Sequence, residues 1–167
     1  MYRKLQDFLA AWKHESEATN KMFAALSDAS LDRKVGTEDR TLGRIAWHIT
    51  TTVPEMMGKT GLKVDGVSED APVPASAGVI ADAYKAAAAS LAEQVAKSWN
   101  DESLDVEDTM YGMQWKRGTT LGILIAHQTH HRGQMTVLMR QAGLKVPGVY
   151  GPAREEWSGM GMTAPEV

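Results

Sequence analysis

Apolar residues recur in this chain at alternating steps of four and three rather than two, a spacing that puts them on one face of a helix. Leu5, Leu9, Trp12, Ser16, Thr19, Phe23 and Leu26 form one such seam and predict a helix over about residues 2–28. Thr41 is a good N-cap before Leu42, so a second helix is expected from there to about Gly58, with Pro54 kinking it or ending it early. An alanine-rich third, about residues 77–99, packs through Ile80, Tyr84, Leu91 and Val95. A fourth spans about residues 119–142, capped by Thr119 or Thr120 and ended by Gly143. Four amphipathic helices with little strand signal imply an all-α four-helix bundle.

The connections qualify that picture. The stretch of about residues 58–76 is rich in Gly, Pro and Asp and reads as a long loop, with room for a crossover in place of simple up-down-up-down order. The linker before the fourth helix carries Met110-Tyr111-Gly112-Met113-Gln114-Trp115, enough for one short extended pairing. The tail from Pro147 reads as irregular; Tyr150 and Trp157 in it are expected to pack, whether over a pocket mouth, on a second subunit or against the core. At 167 residues the chain is expected to be one domain, 1–167.

Composition narrows the function. A net charge of −3 gives no basic face for a nucleic acid. With no cysteine, disulfides, thiolate ligands and a cysteine nucleophile are excluded, which suits a reducing cytoplasm. Met1-Tyr2-Arg3-Lys4-Leu5 lacks the apolar core of a signal peptide, and no apolar run approaches the roughly 20 residues of a membrane span. A soluble, cytoplasmic protein without membrane partners is expected.

The chemistry concentrates in His127-Gln128-Thr129-His130-His131-Arg132-Gly133-Gln134. His127 and His131 are four apart, hence on one helix face within reach of one ion, and Thr120, Leu124, Gln134 and Leu138 continue their seam. Imidazoles on a core-facing seam are costly without partners, which favours ligation over a polar stripe at an interface. His130 lies off that seam, as a flank residue, and His14, in the charged run Lys13-His14-Glu15, reads as a hydrogen-bonded core or surface residue and not a ligand. A short internal echo supplies the third ligand. Thr41-Leu42-Gly43 and Thr120-Leu121-Gly122 are each followed, seven residues after the threonine, by a histidine, His48 and His127. Each histidine then lies roughly 10 Å from its helix start, and parallel helices, or antiparallel helices about twice that long, would bring the two to one level.

Three histidines would leave an ion its full charge and at least one open position, the pattern of a catalytic site. Nitrogen ligation suits a divalent ion, zinc or nickel foremost, with copper and iron also compatible. Gln128 stands where a zinc protease of the H-E-x-x-H type has its glutamate, so that motif is absent. Glu15 and Glu55 are the nearest candidate bases by seam position. Ser16 and Thr19 turn the first seam polar in its middle, either as a solvated groove or as groups facing a polar site inside the bundle. Arg132 and Gln134 either orient ligands, hold an anion or lie on the surface.

These residues resemble the DinB/YfiT-like family of metal-dependent enzymes. The resemblance rests on Trp47-His48-Ile49, on His127-x-x-x-His131-Arg132-Gly133-Gln134 and on Val146-Pro147-Gly148-Val149-Tyr150-Gly151-Pro152. It implies a four-helix bundle in up-down-down-up order, a divalent metal on His48, His127 and His131, and a homodimer. It also implies thiol S-transferase chemistry with a low-molecular-weight thiol. Three other readings stand beside that one: a non-catalytic metal-binding domain serving stress response or sensing, a metal-dependent hydrolase, and a purely structural helical dimer with no metal.

Overall fold

The computed structural model describes residues 1–166. Its four long helices are α1 (Leu5–Ala24), α2 (Leu42–Gly58), α3 (Ala77–Ser98) and α4 (Arg117–Gln141). They close into a ring in which α1 packs on α3 and α4, and α2 packs on α3 and α4. The polar contacts give the chain senses. The Tyr2 N–H donates to the Gly118 carbonyl at 3.2 Å and Arg132 donates to the Glu15 carbonyl at 2.7 Å, so α1 and α4 run the same way. Leu5 meets Asp101 and the Trp12 indole donates to the Ala88 carbonyl, so α3 runs against α1. His48 meets His127 while Thr60, just past α2, meets Arg117, so α2 runs against α4.

A single apolar cluster fills the ring. Phe8, Trp12 and Phe23 of α1, Ile49 and Val53 of α2, Ile80, Tyr84 and Leu91 of α3, and Leu121, Leu124, Met135 and Met139 of α4 are all buried in it. The α1 seam is rotated from the expected one: Phe8, Trp12, Glu15, Thr19 and Met22 face inward, while Leu5, Leu9 and Ser16 sit at the edge. The four-and-three spacing holds for both sets, and contact with two neighbouring helices widens the buried face beyond one narrow stripe.

Helix ends follow local chemistry. The Thr41 hydroxyl accepts from the Arg44 N–H at 3.1 Å, the expected cap of α2. Pro54 does not end that helix, which continues to Gly58; the ring instead packs against Gly66 of the following loop. On α4 the expectation of a threonine cap fails. The helix begins at Arg117, Lys116 occupies the cap position, and Thr120 is fully buried inside the helix with its hydroxyl on the Lys116 carbonyl. The reason is a hairpin in the linker, β1 (Glu107–Met110) paired antiparallel with β2 (Met113–Lys116), whose second strand feeds straight into α4. Tyr111 and Gly112 at its tip both have positive φ, 52° and 83°, as a two-residue turn of this hand requires.

The long connection after α2 is anchored rather than free: the Trp47 indole donates to the Ala71 carbonyl and the Ser90 hydroxyl accepts from the Asp65 N–H, both at 2.9 Å. In the tail the Glu156 carboxylate accepts from the Gly148 and Ala153 N–H groups at 3.0 Å each, and Lys21 donates to the Gly148 carbonyl. Trp157 opens a short 3₁₀ turn, Trp157–Met160. No helix among the described residues is long and apolar enough to cross a membrane.

Candidate metal centre

His48 projects from α2 and His127 and His131 from α4, and the structure brings the three together across the α2–α4 contact. The His127 Nε2 lies 3.0 Å from the Nε2 of His48 and 3.1 Å from that of His131. Their ring centroids are 4.4 to 4.8 Å apart and the planes are steeply inclined. His130 is exposed, off this cluster, as its helical angle predicts. The antiparallel pair meets at one level because the histidines are equally far from the paired helix ends: His48 precedes Gly58 at the end of α2 by as many residues as His127 follows Arg117 at the start of α4.

The tautomer of one imidazole can be read from its partner. The Gln134 Oε1 lies 2.7 Å from the His131 Nδ1; an amide oxygen has no proton, so Nδ1–H donates and the lone pair is on Nε2. Burial, reinforced by the neighbouring imidazole of His131 and by Arg40, holds both His48 and His127 down to about 4. His131 is also lowered, by burial against the opposing bond from Gln134. All three are therefore neutral at neutral pH, the form that ligates a metal.

The nitrogens fit a cation better than they fit one another. With the His131 lone pair on Nε2, only one proton can sit among the three Nε2 atoms unless two N–H groups confront each other. At least two lone pairs then converge. The His127 Nδ1 is buried with no partner at all. Three imidazoles on a tetrahedral zinc would hold their nitrogens about 3.3 Å apart, close to the spacing found here. His48, His127 and His131 thus have the chemistry and the convergence to hold a divalent ion.

A cavity of about 480 Å³ opens beside His48 and His127. Arg40, Arg44, Thr51, Thr52 and Glu55 line it from α2 and the segment before it, and Glu69, Asp70 and Tyr111 line it from loops. Glu55, one of the two candidate bases, therefore shares a wall with the histidines. Its carboxylate accepts from the Tyr111 hydroxyl at 2.7 Å and pairs with Lys59 at 2.9 Å. Burial, with Glu55 adding to it, pushes the Tyr111 phenol upward, so it stays protonated as donor.

Glu15, the other candidate, is placed elsewhere. It is buried, forms a short ion pair with Arg132, and accepts from the Tyr150 hydroxyl at 2.9 and 2.8 Å. Arg132, only 3% exposed, also reaches the Glu15 carbonyl, Thr19 and Thr129. Gln128 accepts from the Tyr84 hydroxyl at 2.5 Å and from Thr19. The polar middle of the α1 seam is thus a hydrogen-bonded network inside the bundle in which the Gln128 Nε2 alone is left without a partner; Thr19 joins it and Ser16, whose hydroxyl bonds the Lys13 carbonyl, does not. Each buried charge has its partner, and no side of Glu15 is left for a substrate. Of the open alternatives for Arg132 and Gln134, Arg132 is a buried counter-ion and Gln134 orients a histidine. Tyr150 is a strap whose hydroxyl reaches inward although the residue is 65% exposed.

Arg40, Arg44 and Tyr111 escaped the sequence reading. The two arginines had a signal, since they precede His48 by eight and four residues. Tyr111 had none, because a hairpin tip reaches Glu55 only through the tertiary fold.

A helical bundle in which two neighbouring helices converge three neutral imidazoles, two of them lining a cavity, defines a class of proteins whose histidines could hold a metal ion. Residues 1–166 match the DinB family, and the chain belongs to it. It is similar to the uncharacterized protein YrdA of Bacillus subtilis (strain 168), with 44% identity over 167 residues covering 100% of both chains. A DinB-like protein from Bacillus cereus ATCC 10987, known from its crystal structure, shares 46% identity with a TM-score of 0.87, over 90% of this chain and 100% of that one. The DinB-like protein YjoA of Bacillus subtilis, at 17% identity and a TM-score of 0.67 over 86% of this chain and 97% of its own, shares the fold.

Proposed function

We propose that this protein is a metal-dependent enzyme in which His48, His127 and His131 hold a divalent ion, zinc or nickel, and whose cavity carries out S-transfer from a low-molecular-weight thiol. The observation that carries the reading is the convergence of three Nε2 atoms, 3.0 and 3.1 Å apart at their closest, beside an open cavity. A structural metal site is closed by its ligands, whereas three protein ligands, two of them lining a cavity, leave room for a reactant; this favours an enzyme over a non-catalytic domain whose metal serves stability or sensing. When bound, such an ion supplies a full positive charge next to that open position and lowers the pKa of a thiol arriving there.

The chain's own residues do the rest. Gln134 keeps the His131 lone pair turned inward. Tyr111 and Lys59 hold the Glu55 carboxylate in the cavity wall, where it accepts the thiol proton. The thiol sulfur then bonds to an electrophilic carbon, and the group it displaces leaves with its electron pair.

The test begins with metal content after loading and desalting. Wild type should retain about one equivalent of zinc or nickel, and His48→Ala and His127→Ala very little. Equal, negligible retention in all three would sink every metal-based reading. Turnover of a monochlorobimane-type electrophile across a panel of bacterial thiols then separates enzyme from binder. Metal-dependent turnover supports S-transfer, and hydrolysis of a simple ester in its place would point to a hydrolase.

A further inference from the structure

We propose that Arg40 and Arg44 form an oxyanion subsite in the cavity beside the histidine centre, so that the small molecule taken there carries a carboxylate or phosphate group. The proposal rests on reading the cavity as a substrate site and deepens it by naming the substrate class.

The placement comes first. Arg40, Arg44, His48 and Thr52 succeed one another at steps of four, and all four line the same cavity. Arg40 stands just before the Thr41 cap and Arg44 in the first turn of α2. Within α2, Arg44, His48 and Thr52 at this spacing lie on one helix face, and four residues advance the helix by roughly 6 Å. A group held by Arg44 is therefore within the length of a small metabolite from His48.

The charges come second. Arg117, Arg132 and Arg140 are each committed to a carboxylate, of Asp108, Glu15 and Glu155. Among the described residues neither Arg40 nor Arg44 donates to a carboxylate, although three line the same cavity: Glu55, Glu69 and Asp70. Glu55 is answered by Lys59 and Tyr111. The cavity therefore keeps two guanidinium groups apart from its acids, with their donors available. A guanidinium presents a planar fork of N–H groups that matches a carboxylate or phosphate in a bidentate way.

The end of α2 contributes no competing site. The Leu42 N–H donates to the Arg33 carbonyl and the Gly43 N–H to the Leu31 carbonyl, both at 2.8 Å, and the Arg44 N–H goes to its Thr41 cap. An anion here is bound by side chains and not by free backbone donors.

The experiment uses the full chain after chelator treatment, titrated separately with succinate and with inorganic phosphate at low ionic strength. Binding is followed by calorimetry and by the arginine Nε–H resonances, with sodium chloride at matched ionic strength as the control. Wild type should bind at least one of the two saturably, and which one it prefers tells carboxylate from phosphate. The double variant Arg40→Gln/Arg44→Gln should bind at least about tenfold more weakly, with Arg44→Lys between the two because the fork is lost. Both arginines are exposed, so the variants should melt like wild type. His48→Ala should keep its anion affinity. The proposal is overturned if neither anion binds saturably, or if the double variant binds as wild type does. Loss of metal binding with anion binding intact would instead remove the metal reading and leave the subsite standing.

Discussion

The Nδ1–H of His131 donates to the Oε1 of Gln134 at 2.7 Å, and the Nε2 of the same amide reaches the His130 Nε2 at 3.1 Å. Both ends of the amide are thereby assigned, and the pair fixes which His131 nitrogen faces His48 and His127. Three residues of separation on one helix make the contact local: the orienting group travels with the ligand it orients.

Removing that group should loosen the metal without unfolding the bundle. Gln134→Ala is expected to weaken zinc or nickel affinity about 10- to 100-fold, and His130→Ala much less, as measured by competition with a chromophoric chelator. An unchanged affinity in Gln134→Ala would show that His131 orients itself.

The metal-free protein should lose stability as pH falls from about 6.5 towards 4. His48 and His127 hold folded-state values of about 4 against an ordinary 6.5, so between those limits the unfolded chain binds more protons. Their contribution is therefore intact above about 6.5, is lost through that window and levels off below about 4. Urea midpoints across the range check this, and His48→Ala should flatten the slope.

The Glu15–Arg132 pair predicts an asymmetric mutational response. Arg132→Ala leaves a buried carboxylate without its counter-ion and should cost about 3–5 kcal/mol in urea unfolding. Tyr150→Phe removes one hydroxyl from the network and should cost about 1–2 kcal/mol. If Arg132→Ala unfolds like wild type, the pair is not buried in solution.

Two glycines of α4 should respond in opposite directions. A methyl group at Gly118 would collide with the Tyr2 carbonyl, so Gly118→Ala should destabilise by about 1–3 kcal/mol. At Gly133 nothing lies within 4 Å, and Gly133→Ala should stabilise by up to about 1 kcal/mol. Thermal melts of the two variants suffice.

Periodicity alone determined four helices, their approximate limits and the division of His127 and His131 from His130, because helical angle is a property of spacing within one segment. The same local logic found the Thr41 cap and the loop after α2. It misjudged the start of α4, where Thr120 resembles a cap in sequence but is enclosed by a helix that a hairpin initiates at Arg117. The echo that singled out His48 led to a residue that the fold brings together with His127 and His131, although its two threonines occupy different positions in their helices.

What only the tertiary structure decided are relations between segments distant in the chain. Glu15 and Glu55 look alike as candidate bases, yet one meets Arg132 and Tyr150 in the interior and the other lines the cavity with His48. Tyr111 reaches Glu55 from a hairpin tip, and Arg40 and Arg44 share that cavity because α2 packs against α4. Side-chain spacing along a helix specifies a face; which partner that face meets, and whether a charge on it is answered or left free, is set by the packing of helices against one another.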